Sequence, residues 1–174
     1  LGMLGMSSRS TDEVQRITRE TRRLTDRPFG VNFILRPSYT REFIEEQVAV
    51  CLEEGVGLVS FFWDDCAPYI EQVHAAGSLV MYTVPSAAEA RRAVDAGVDI
   101  IVAQGWEAGG HVRGEVATLP LVPRVVDAVT PTPVVAAGGI ADGRGMAAAL
   151  ALGAAGVWLG TRFLVSQEAG ILPA

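Results

Sequence analysis

The stretch PVVAAGGIADGRGMAAALALGAAGVWLGTR, residues 133–162, decides the fold. An apolar run from Pro133 to Ala137 ends in Gly138-Gly139. A helical stretch, Asp142 to Leu152, follows and stops at Gly153. A second apolar run, Gly156 to Leu159, leads into Gly160-Thr161-Arg162. Short apolar runs alternating with amphipathic helices predict parallel strands joined by right-handed crossovers. Glycine after a helix is the expected left-handed cap.

The same beat extends back through the chain. Strands are expected at Val31 to Leu35, Gly57 to Phe61, Leu79 to Val84 and Asp99 to Ala103. Helices are expected at Thr40 to Glu54, Ala67 to Ala76, Ser86 to Ala96 and Leu119 to Val129. Ser86 with Glu89 three residues on forms a capping box. Six strands result, nearly evenly spaced except where a long loop follows Ala103. An open doubly wound sheet would carry its glycine turn after the first strand. Here the glycine turns come late, and a (β/α)8 TIM barrel places its phosphate site after strands 7 and 8. The expectation is therefore an α/β protein, a (β/α)8 TIM barrel truncated at its N-terminus, with about six βα units in a single domain, residues 1–174. Leu1 to Gly5 would be the tail of strand 2, and Thr11 to Leu24 the next helix, capped by Ser10 or Thr11. The first residue is Leu, so the natural N-terminus is expected upstream.

Composition supports an α/β core. Hydrophobic residues make up 49% of 174, charged residues only 20%, as suits strands buried on both faces. The net charge of −6 argues against nucleic acid. The basic cluster Arg19 to Arg27 is interrupted by Glu20 and Asp26 and reads as a solvated helix face. Cys51 and Cys66 lack metal-ligand spacing and disulfide density, so a reducing cytoplasm is expected. The chain opens without a signal-peptide pattern, and its most apolar region, Pro133 to Val165, is interrupted by Asp142, Arg144 and Arg162, so no membrane partner is expected.

Three segments can carry chemistry. Gly138-Gly139 and Gly160-Thr161 end adjacent strands, where backbone N–H groups can approach an anion without an intervening Cβ. Together they form a phosphate cradle. Glycine chosen for tight packing is the alternative. The loop Gln104-Gly105-Trp106-Glu107-Ala108-Gly109-Gly110-His111 leaves the same end of the sheet, and histidine can move a proton near neutral pH. Asn32 is a polar side chain within an apolar strand, a candidate ligand contact. His74, near a helix C-terminus, reads as structural. Phe61-Phe62-Trp63 are equally pocket wall or core.

These residues resemble the nitronate monooxygenase family, formerly 2-nitropropane dioxygenases. The resemblance rests on Gly30-Val31-Asn32-Phe33, Val102-Ala103-Gln104-Gly105, Glu107 to His111, Val135 to Arg144 and Gly156 to Phe163. It implies an FMN-dependent TIM-barrel oxidoreductase that oxidises alkyl nitronates or nitroalkanes with O2 and without reduced nicotinamide. It implies FMN contacts at Asn32, Gln104, Gly109, Gly139, Gly160 and Thr161, joined by Gly138 of the cradle, with His111 as the catalytic residue and no metal. Two departures stand out. The family's flavin-binding Pro-Met segment of strand 1 is absent, and Asp64 stands where a glycine is usual. An FMN-dependent enoyl-acyl-carrier-protein reductase using NAD(P)H is the nearest alternative. A non-catalytic phosphate-binding barrel fragment and a flavin-free phosphosugar enzyme come after it, and a homo-oligomer is left open.

Overall fold

The computed structural model describes residues 1–169, so the last part of the expected domain, residues 170–174, lies outside the described residues. The chain divides into two compact units, residues 1–83 with 95–99, and residue 84 to 94 with 100 onward.

In the first unit, strands β1 (Gly2–Gly5), β2 (Phe29–Ile34), β3 (Leu58–Phe62) and β4 (Leu79–Val84, whose last residue belongs to the second unit) alternate with helices α1 (Thr11–Leu24), α2 (Arg41–Glu53) and α3 (Ala67–Ala75). Each strand pairs in parallel with the next. The opening segment, expected as the tail of a strand, is strand in the structure. Gly2 to Gly5 pairs with Phe29 to Asn32 along its whole length. Its two glycines hide the apolar pattern, while the pairing supplies what the side chains do not. With β1 included, the described residues hold seven strands where six were expected.

Local chemistry sets these elements. Ser10 caps α1 through a complete capping box with Glu13, and the Thr40 hydroxyl accepts from Phe43 N to start α2. Glycines in the left-handed region, Gly55 and Gly77, come after α2 and α3, where a Cβ would be strained. Arg19 and Arg22 do more than coat a solvated face. Arg19 pairs with Glu54 at 2.6 Å. Arg22 donates to the Glu54 and Gly55 carbonyls at the end of α2 and lies 4.6 Å over the Phe29 ring. These contacts tie α1 to α2 and satisfy carbonyls that the helix leaves open.

Register separates the two faces of the sheet. Phe33 lies beside Phe61, which lies beside Tyr82. Phe61 stacks on Tyr69 of α3 at 5.3 Å, so this row faces the helices. Side chains alternate along a strand, so Gly5, Asn32, Ser60 and Met81, which are also register partners, occupy the opposite face. Phe61, buried against Tyr69, is core, whereas Phe62 is buried on the opposite face.

In the second unit, α4 (Ala87–Asp95), β5 (Ile100–Gln104), α5 (Thr118–Val129), β6 (Val134–Ala137), α6 (Gly143–Ala151), β7 (Gly156–Trp158) and α7 (Thr161–Leu164) run in order. Strands β5, β6 and β7 pair in parallel. Val122, Val125, Ile101, Val102 and Ala136 form the buried centre.

Candidate active site

Strand register builds the site. Gln104 lies opposite Ala137, and Ala137 opposite Trp158. The three strands therefore end level. The His111 loop, the Gly138-Gly139 turn and Gly160-Thr161 leave their ends side by side. Parallel βα units place ligands at this edge.

The loop folds back onto both turns. Gly105 N donates to Ala137 O at 2.9 Å, and Trp106 N to Val116 O at 2.9 Å. Gln104 is half-buried, and its Nε2 donates to the His111 carbonyl at 3.1 Å. That bond fixes the backbone of His111 and leaves its exposed ring at the surface of the loop. A Cβ on Gly109 would collide with the Thr161 hydroxyl, so the loop lies directly on the α7 turn.

Each glycine is used differently. Gly138 and Gly139 have φ +111 and +66, a region that L side chains avoid. A Cβ on Gly138 would lie 2.8 Å from the Thr118 hydroxyl, and one on Gly139 3.1 Å from Glu107 Cγ. Conformation and packing alone therefore demand glycine at both positions. Gly160 differs, with φ −110 and nothing within 4 Å of an added Cβ. Neither strain nor packing among the described residues accounts for glycine there, and the space beside it is open to a bound group. The residues fit a phosphate-bearing cofactor best at Gly160-Thr161.

Electrostatics points the same way. Ala117 has no side-chain oxygen to cap α5, and Glu107 substitutes for it: its carboxylate oxygens accept from Thr118 N at 3.0 and 3.2 Å. Asp142 caps α6, accepting from Arg144 N and Gly145 N. Its pKa lies below the ordinary value, first because of the Arg144 guanidinium and then because of these amides. Two of the helix ends therefore already carry an anion. The Gly160 end of α7 has no side-chain cap. Glu107 and Thr118 were missed in sequence. The signal was available in Ala117, a non-capping residue where a helix begins.

Asn32 belongs to the first unit. It is half-buried on the face away from the helices, and its carbonyl accepts from Met6 N. Its register neighbour Ser60 is fully buried, with no partner for its hydroxyl among the described residues. Asp64, the departure noted in sequence, and the neighbouring Asp65 cap their own loop by accepting from Asp65 N and Ala67 N. Cys51 and Cys66 are buried thiols, pushed up to about 11 and about 12. Burial is the first cause for both; for Cys66 the neighbouring Asp65 comes second. Among the described residues no His, Cys, Asp and Glu cluster could hold a metal.

The family model for nitronate monooxygenase matches residues 1–174. A relative in Rhodococcus jostii, named as a hydroxy-methyl-oxo-octahydro-indene-carboxyl-CoA dehydrogenase, is 42% identical over 98% of this chain and 47% of its own length. The nitronate monooxygenase of Paraburkholderia phytofirmans is 36% identical over 98% of this chain and 58% of its own. The solved structure of a FabK variant from Thermotoga maritima superposes with a TM-score of 0.91 and 44% identity, over 99% of this chain and 56% of that one. The fold is that of (β/α)8 barrel enzymes, and the chain belongs to the nitronate monooxygenase family of flavin oxidoreductases. It spans about half the length of the curated relatives it matches.

Proposed function

We propose that this chain supplies the FMN phosphate site and the catalytic histidine of a nitronate monooxygenase. In this reading residues 1–174 form one FMN-binding barrel domain, acting in the cytoplasm on alkyl nitronates or nitroalkanes with O2. The observation that carries it is the level ending of β5, β6 and β7, which sets the His111 loop against both glycine turns. Gly160 and Thr161 would hold the phosphate, flanked by Gly138 and Gly139. Gly109 and Gln104 would complete the FMN contacts of the second unit, and Asn32 of the first unit is proposed as an FMN contact on the resemblance alone. Bound FMN would supply the electron traffic between the organic substrate and oxygen.

The chain's own task is proton transfer and positioning. A neutral nitroalkane must lose its α-proton, and the His111 ring accepts it as general base. An anionic nitronate needs no such step. His111→Ala should therefore lower turnover of a neutral nitroalkane by about 10² to 10⁴-fold, with nitronate turnover and FMN content retained. Oxygen-electrode rates on the two substrates measure this, and equal rates for wild type and variant on the neutral compound would remove the role.

A second reading has specific support. The likenesses to FabK and to a CoA-thioester dehydrogenase, at 44% and 42% identity, favour an acyl thioester substrate with NAD(P)H, as in an enoyl-acyl-carrier-protein reductase. NAD(P)H oxidation dependent on an enoyl thioester, with no activity on nitronates, would replace the first reading by this one.

A further inference from the structure

The His111 loop has two halves, anchored differently. Residues 105–109 lie on the β6 turn and on Thr161. Residues 111–117 hold no helix or strand and lie instead against the start of α4. Arg113 forms an ion pair with Glu89, and the two side chains are only 26% and 18% exposed. Next to it, a Cβ on Gly114 would come within 2.9 Å of the Pro85 side chain. Glu89 is a rigid mount. Its helix is started by the Ser86 hydroxyl, which accepts from Glu89 N at 3.2 Å, and is seated by buried Ala90 and Ala93. The Glu89 carboxylate also faces Arg92 at 3.9 Å, a side chain 72% exposed.

We infer that Arg113 and Glu89 are positioning residues for His111: their ion pair, with Gly114 seated on Pro85, fixes the far half of the loop and with it the placement of the imidazole. His111 sits between the two anchored halves, its carbonyl held by Gln104. Loss of the far anchor frees the chain on one side of it. A partly buried pair persists where an exposed one would not, because removing one member leaves a desolvated charge behind. The inference rests on the proposed role of His111, but part of its test does not.

The test uses Glu89→Gln, Arg113→Gln and the conservative Arg113→Lys, with Gly114→Ala as a second way to lift the loop if a charge variant fails to fold. The chain has two histidines, His74 and His111, so their ring protons are assigned in NMR spectra by comparison with His111→Ala. In flavin-free protein, Glu89→Gln and Arg113→Gln should shift or broaden the His111 signal and leave His74 unchanged, while Arg113→Lys restores it. In FMN-loaded protein, kcat should fall about ten- to a hundredfold, as expected for a misplaced catalytic group, with KM and FMN affinity kept within about twofold. An unmoved His111 signal in every variant would overturn the inference, as would a kcat loss matched by equal losses in FMN affinity and thermal stability. If His111→Ala retains full turnover, the proposed function fails while the NMR result still decides whether the latch exists.

Discussion

At the residue scale, the two glycine turns that look alike in sequence separate by physical cause. Gly138 and Gly139 are required by positive φ and by Thr118 and Glu107 packed beside them. Substituting either tests the fold as much as the ligand. Gly160 has an ordinary φ and open space where its Cβ would be. Gly160→Val should therefore leave stability nearly unchanged, within about 0.5 kcal/mol, and weaken FMN binding by at least about tenfold, or about 1.4 kcal/mol. Gly139→Val should lower both. Thermal melts paired with FMN fluorescence titrations separate the cases, and normal FMN affinity in Gly160→Val would remove the phosphate from α7. The glycine pairs were legible in sequence because residue type was the signal. Their division of labour was not, because it depends on Glu107 and Thr118 arriving from another loop.

At the element scale, helix starts carry the acid sensitivity. Glu13 in the α1 capping box and Asp142 at the start of α6 both have pKa values below the ordinary ones, because of Ser10 and of Arg144 respectively. A carboxyl with a depressed folded pKa takes up its proton more readily in the unfolded chain. The stability it contributes is present above the ordinary values of 4.5 and 3.8 and is lost as pH falls through the lower folded values. Melting temperature should thus decline on acidification below that range. Ser10→Ala should cost about 1 kcal/mol at neutral pH and reduce the Glu13 share of the acid decline; an unchanged melting temperature would show that α1 does not rely on its cap. The caps at Ser10 and Ser86 were readable because each is a polar residue just before an apolar period, whereas Thr40 and Asp142 were read as the first helical residues and prove to be the caps. The start of α5 was not readable, since its cap comes from Glu107, distant in sequence. Strand β1 was expected only as the tail of a strand: Gly2 and Gly5 give little alternation to read, and pairing with β2 makes its extent plain.

At the scale of the whole molecule, each unit repeats the same βα geometry, and the proposed site residues divide unequally between them. His111, Gln104, Gly109, both glycine turns and Thr161 lie in the second unit, and Asn32 alone lies in the first. In the proposed reading, the second unit would hold the phosphate end of the FMN site together with its base. The barrel class was legible because glycine turns after the last two strands are an order-dependent signal that survives without long-range contacts. The Arg113–Glu89 pair was not legible, since Glu89 read in sequence as half of a capping box and its carboxylate reaches across to the loop. His74 was read as a helix-end residue; the structure adds Asp99, whose carboxylate meets its Nε2 at 2.9 Å and also accepts from Val80 N.

The central claim is that this chain by itself presents an FMN phosphate site beside His111. Titrating the flavin-free protein with FMN, and measuring bound flavin after gel filtration, tests it most directly. The expected result is saturable uptake approaching one FMN per chain, weakened at least about tenfold in Gly160→Val and retained in His111→Ala; wild-type protein that leaves the column without flavin would contradict it.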